Sequence, residues 1–238
     1  MPAGALERAV ALLQRLGQGP EQRSVAELAG EAGVPTSTAY RLLSELAAHG
    51  LVARSHDATV SLGPQLVALG RSAEAGLRAR LVEPAAPVME RLAQEVAETV
   101  LLTAPCGLEA LVLHVVETDV PVRLSYAVLR RAPMHLGASG KVLAAYLEPA
   151  ERQRLVEAVG VPGLDDALEG IRASGYAYTV AEIDEGAAAV AAPILDRRGR
   201  LLAGLSIAGP TQRIAAGVAA QVAAVRAATQ RIERSIVA

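Results

Sequence analysis

Leu6, Val10, Leu13 and Leu16 recur at spacings of four, three and three, which sets one apolar face on a predicted helix that Gly17 and Gly19-Pro20 then stop. Ser24-Val-Ala-Glu27 follows in the S-x-x-E form of a capping box, where serine oxygen and glutamate carboxylate each take up an orphan backbone N–H. Val25, Leu28, Ala29 and Ala32 give the buried stripe of a short second helix, and Gly33 stands where a left-handed cap would end it. Pro35 suits the first turn of a third helix, since its missing N–H costs nothing there. Ala39, Leu42, Leu43 and Leu46 form the inner face of that helix, and Ser37, Arg41, Ser44 and Ala48 lie opposite, flanked by Thr38, Tyr40 and Glu45. The period then changes to two. Leu51–Arg54 and Thr59–Leu62 are β-prone runs around the polar Ser55-His56-Asp57-Ala58, which reads as a hairpin. Three helices plus a hairpin predict a winged helix-turn-helix over residues 1–63.

From Gln65 to about Leu81 the pattern is helical again, but Leu66, Leu69 and Leu77 are sparse and Gly70 and Gly76 interrupt it. We read 64–81 as a linker helix ending before Pro84 and Pro87. A helix carrying Val88, Leu92 and Val96 opens a larger domain, 82–238. Strands are expected at Thr99–Ala104, Ala110–Val116 and Val122–Val128, and helices at Lys141–Leu147 and Ala150–Val159. Ala191–Leu195 and Leu201–Ile207 flank Asp196-Arg-Arg-Gly199, a hairpin signal. A final helix runs through Ile214, Val218, Val222, Val225, Thr229, Ile232 and Ile236 at spacings of four and three. The second domain is therefore expected to be α+β around an antiparallel sheet.

Composition narrows the class. Hydrophobic residues make up 52% of the 238-residue chain and charged residues 20%, which is globular rather than disordered, and the absence of Phe and Trp requires an aliphatic core. No apolar run reaches the ~18 residues of a membrane span, and MPAGALERAV lacks the pattern of a signal peptide, so a cytoplasmic protein is expected. Cys106 is the single cysteine, so neither an intramolecular disulfide nor a cysteine zinc cluster can form within one chain. Net charge is −2, and residues 1–62 hold five arginines against six carboxylates. Nucleic-acid affinity must then come from charge placement, not bulk charge.

The third helix is the first candidate site. Thr36, Ser37 and Thr38 are short and polar at its N-terminus, so a DNA backbone could approach closely, while Tyr40 and Arg41 one turn on could reach base edges or phosphates. Arg54 in the hairpin could touch the flanking backbone or minor groove. The bland counterpart is an ordinary solvated helix face. Gly137-Ala-Ser-Gly140-Lys141 tempts towards a phosphate loop, but a Walker A motif would need glycine where His135 stands and Ser or Thr where Val142 stands. What survives is a small-residue helix start whose N–H groups could meet a carboxylate, or a turn required by packing. His49, His56, His114 and His135 lack metal-site spacing, and no cofactor is expected. Glu182, Asp184 and Glu185 lack a partnered nucleophile and read as a solvated acidic loop, not as catalytic groups.

Taken together, Leu6-Glu-Arg-Ala-Val10, Ser24-Val-Ala-Glu-Leu28, Gly33-Val-Pro-Thr-Ser-Thr-Ala-Tyr-Arg41, Gly50-Leu-Val, Pro133-Met-His135, Ala138-Ser-Gly-Lys141, Ile171-Arg-Ala-Ser-Gly-Tyr176, Glu182 with Gly186, Ala191-Ala-Pro193 and Leu205-Ser206-Ile-Ala-Gly-Pro210 with Arg213 resemble, nearly end to end, the IclR family of bacterial transcriptional regulators. The resemblance implies a GAF-like effector domain behind the winged helix. It also implies a non-enzymatic regulator that is a homodimer or a tetramer of two dimers on a palindromic operator. By position, it implies an effector pocket at Met134, Ala138, Ser139, Gly140, Thr179, Ala189, Ser206 and Ala208. Thr179, Ala189 and Ala208 stand where the family often has an acid, a cysteine and a serine. The expected effector is accordingly a fairly apolar carboxylic acid, its carboxylate at Ser139 and Gly140. The segment between Val159 and Leu168 is short for the family, which could alter a pocket wall. The competing reading is a sensor or enzyme domain whose winged helix serves protein contacts.

Overall fold

The computed structural model describes residues 4–20, 22–55 and 59–236. The chain divides into two compact units, Met1–Gly76 and Leu77–Ala238.

The first unit runs α1 (Ala5–Gln18), β1 (Arg23–Ser24), α2 (Val25–Glu31), α3 (Thr36–Ala48), β2 (Val52–Arg54), β3 (Thr59–Leu62) and α4 (Gln65–Leu77). The capping box forms at α2: Ser24 Oγ accepts from Glu27 N–H at 3.3 Å and the Glu27 carboxylate accepts from Ser24 N–H at 3.3 Å. Gly33 takes a left-handed φ of +64° after that helix, as expected. Pro35 is the residue that caps α3 rather than its first helical residue. Leu12, Leu28, Leu43, Val52 and Val60 close one aliphatic core under the three helices and the β1-β3-β2 sheet. The hairpin pairs Val52 with Leu62 and Arg54 with Val60; its expected turn at 56–58 lies outside the described residues. Gly63 N–H donates to the Leu51 carbonyl at 2.8 Å, which fixes where α4 departs.

The second unit opens with a π-turn, Arg78–Val82, and continues through α5 (Glu83–Val96), β4 (Thr99–Cys106), β5 (Glu109–Val116), β6 (Arg131–Pro133), α6 (Gly137–Tyr146), α7 (Pro149–Val159) and α8 (Leu164–Ser174). It ends with β7 (Ala177–Val180), β8 (Ala187–Leu195), β9 (Leu201–Pro210), α9 (Thr211–Ala216) and α10 (Val218–Ser235). Helix does not stop before Pro84 as the sequence suggested. A wide turn in which Glu83 N–H reaches the Arg78 carbonyl precedes Pro84, which falls in the first turn of α5 where no donor is needed, and Pro87 is carried inside the helix. The final helix is likewise two pieces, broken at Gly217.

All neighbours in the six-stranded sheet, order β6-β5-β4-β9-β8-β7, are antiparallel. Successive side chains point to opposite faces, so each central strand serves two layers. Val100 and Leu102, Val190 and Ile194, Leu205 and Ile207 pack on Val88, Met89 and Leu92 of α5 and on Val225 and Ile232 of α10. The alternate residues face α6 and the loop 117–130.

That loop contains the expected strand Val122–Val128, which joins no ladder. Side chains satisfy its carbonyls instead: Thr99 Oγ1 donates to Leu124 O at 2.6 Å and Arg213 Nη2 to Val122 O at 2.8 Å. Its place at the sheet edge is taken by β6. Arg213 also clasps the Glu98 carboxylate at 2.5 and 2.8 Å, with Glu98 only 2% exposed.

Candidate functional site

Two regions carry the predicted residues. On α3, Ala39, Leu42 and Leu43 are buried against the core, which turns Thr36, Ser37, Tyr40, Arg41 and Ser44 outward, with Thr38 partly covered. Arg41 is engaged with its own helix, donating to Glu45 at 2.8 Å in an exposed i,i+4 pair worth a few tenths of a kcal/mol, roughly. A phosphate or base edge can displace such a pair. Arg54 donates to Ser44 Oγ at 2.8 Å and to the Tyr40 carbonyl at 3.3 Å, so the hairpin is fastened to the C-terminal half of the α3 outer face. Six residues expected on one surface are thus brought together by one helix and one strand.

The second region is a cleft on the open face of the large sheet, holding about 680 Å³ of empty space, part of it open to solvent. Leu101 and Thr103 of β4, Ala110 and Val112 of β5, Ala189 of β8 and Ala208 of β9 form its floor, and Ala138, Ser139 and Gly140 at the start of α6 form one wall. Gly140 is required by packing: a Cβ there would stand 2.8 Å from the Pro133 carbonyl oxygen, so only glycine lets α6 approach that turn. Six of the eight residues implied for a pocket line the cleft. Met134 does not; it is fully buried behind the wall with Leu143, Leu155 and Leu168, where its size serves packing. Ser206 also lies behind the surface and meets it only through Ser139, whose hydroxyl donates to Ser206 Oγ at 2.8 Å. None of residues 159–168 lines the cleft.

The acidic loop corrects a second expectation. Glu182 is not simply solvated: its carboxylate accepts from Gly137 N–H at 2.9 Å and from Lys141 Nζ at 2.5 Å. The positive end of α6 therefore already holds an anion, an arrangement that helix termini favour. Asp184 also lines the cleft, with Arg130 Nη2 3.5 Å from its Oδ1 and Tyr126 Oη 3.5 Å from its Oδ2. Arg130 lies over the Tyr126 ring at 5.1 Å from the centroid. Burial, reinforced by the Asp184 charge, pushes the Tyr126 phenol up to about 12, so it is a donor at neutral pH. Tyr126 falls within the expected strand Val122–Val128 and Arg130 just beyond it, and no period links either to Asp184; the Arg130-Arg131 pair before Pro133 is the one local hint.

Among the described residues no group of three His, Cys, Asp or Glu could hold a metal ion, and no helix is long and apolar enough to cross a membrane.

Residues 5–56 match the IclR helix-turn-helix domain and residues 75–234 the C-terminal domain of bacterial IclR transcriptional regulators. The HTH-type transcriptional regulator KipR of Bacillus subtilis strain 168 is 31% identical over 197 residues, covering 78% of each chain. An IclR family transcriptional regulator from Brucella abortus superposes with a TM-score of 0.81 at 20% identity, over 99% of this chain and 93% of that one. An IclR homologue from Microbacterium hydrocarbonoxydans, crystallised with 4-hydroxybenzoate, superposes with a TM-score of 0.67 at 27% identity, over 98% of this chain and 99% of the other.

Proposed function

The chain belongs to the IclR family of bacterial transcriptional regulators, and from that premise we propose a ligand-responsive regulator that reads DNA with α3 and takes a small, fairly apolar carboxylic acid into the cleft. In this reading residues 1–63 are the DNA-binding domain, 64–81 the linker and 82–238 the effector domain. Thr36, Ser37 and Thr38 approach the backbone, Tyr40 and Arg41 reach base edges or phosphates, and Arg54 holds the hairpin beside them. The protein works in the cytoplasm as a homodimer or as a tetramer made of two dimers on a palindromic operator.

The observation that carries the effector half is the composition of the cleft. Its floor is Ala, Leu and Val with the single hydroxyl of Thr103, and the other polar groups sit at its rim and at Ser139 and Thr179, the usual make-up of a small-molecule site. The 4-hydroxybenzoate held by the Microbacterium relative is a ligand of this chemical type and supports the reading.

Footprinting upstream of the protein's own gene, with and without aromatic and branched acids, tests both halves. We expect a protected site whose affinity falls with salt and shifts with an acid of this class. Tyr40→Ala combined with Arg41→Ala should weaken operator binding by about 1–3 kcal/mol per lost contact, with the unfolding midpoint unchanged. Undetectable sequence-specific binding by the parent protein would refute the DNA half, and indifference to every acid would refute the effector half.

A further inference from the structure

We propose that the fork formed by the Arg130 guanidinium and the Tyr126 hydroxyl is the seat for the effector's anionic group, and that Asp184 is an internal competitor for that seat. The proposal rests on the effector reading above and says where the charge goes.

Three carboxylates of the second unit allow the comparison. Glu98 is clasped by Arg213 at 2.5 and 2.8 Å and is buried. Glu182 is held by Gly137 N–H and Lys141 at 2.9 and 2.5 Å, so the amide end of α6 is spoken for by the chain itself. Asp184 alone is loosely held: both of its oxygens stand 3.5 Å from their donors, at the outer limit of hydrogen bonding. Its side chain is 42% exposed, so release into water costs little.

Arg130 offers five N–H donors in a planar fork suited to a carboxylate, and stacking on Tyr126 orients that fork beside the cleft. An entering carboxylate can take both donors at 2.7–2.9 Å or so, the ordinary charge-assisted distance, while Asp184 turns out. The apolar remainder of the acid then covers Leu101, Val112 and Ala208. Without the exchange, a third negative charge would sit beside Asp184 and Glu182. Displacement of Asp184 is what makes the cleft accept an acid.

The test is calorimetric titration of the full chain with 4-hydroxybenzoate, benzoate and 3-methylbutanoate and with the uncharged amide of each. Arg130→Gln should weaken the bound acids about tenfold or more, and Asp184→Asn should tighten them about tenfold, as expected for gain or loss of one hydrogen bond to a charged group. The amides should bind all three proteins alike, which also reports that the variants are folded. Acid affinities unmoved by both substitutions would overturn the proposal and leave the effector reading standing. So would a gain seen with Glu182→Gln and not with Asp184→Asn, because the α6 end would then be the seat. Failure of every acid and amide to bind the parent protein overturns the effector reading and the proposal with it.

Discussion

The two faces of the six-stranded sheet are cut from the same strands and differ in side-chain size. On the helix-covered face stand Leu102, Ile194, Leu205 and Ile207, all fully buried, whereas the cleft floor takes only Ala189 and Ala208 from β8 and β9, beside Leu101, Thr103 and Val112 of β4 and β5. Alternation alone sets which face a residue joins; residue volume then decides whether that face closes on its helices or stays hollow. One face stores stability and the other stores space. A cavity of this kind is therefore written in the small residues of a strand and not in any motif.

Substitutions that exchange the roles should break the contrast. Leu205→Ala, in the packed layer, should cost about 2–5 kcal/mol in denaturant unfolding. A cost below about 1 kcal/mol would mean that the layer is as compliant as the open one. Next, Ala192→Leu should overpack the same layer and cost about 1–3 kcal/mol, because Ala192 is 1% exposed there. The same change at Ala189 on the cleft floor should cost under about 1 kcal/mol while abolishing acid binding, measured by calorimetry. Equal costs at the two alanines would erase the distinction. A separate test is a pH dependence. The folded-state phenol of Tyr126 is raised from 10.0 to about 12, so the folded chain keeps a proton that the unfolded chain releases. Stability should fall as pH rises from about 10 to about 12, and Tyr126→Phe should flatten that part of the profile.

Much of the first unit was legible because its signals are local. The Ser24–Glu27 box, Gly33 and the stripe Ala39, Leu42, Leu43 each act within one or two turns, so pattern and structure agree to within a residue or so. The second unit was legible as alternating strands and less so as a site. Val122–Val128 has the composition of a strand, yet its carbonyls go to Thr99 and Arg213, partners that no local pattern announces. No local pattern sets Glu182 apart from Asp184 and Glu185, because its partners, the Gly137 amide and Lys141, are 45 and 41 residues away along the chain. Met134, matched by position to a pocket residue, turned out to fill the core behind it. Tyr126, Arg130 and Asp184 meet only because the long connection between β5 and β6 and the short one between β7 and β8, which leave opposite edges of the sheet, both reach the cleft.

The clasp between Glu98 and Arg213 has a neighbour that bears on strand register. Gly209 of β9 lies against the Glu98 carboxylate so closely that a Cβ at that position would stand 2.3 Å from Oε2. Gly209 pairs with Ala188, and Ala208 beside it pairs with both Thr99 and Ala189. A slip of β9 by one residue in either direction would drive the side chain of Ala208 or Pro210 into that carboxylate. It would also turn the large residues of β9 towards the cleft and the small ones towards α5 and α10. The buried Glu98 carboxylate, held by Arg213, thus acts as an indexing pin for the central strand, favouring the alignment in which the sheet is solid on one side and hollow on the other.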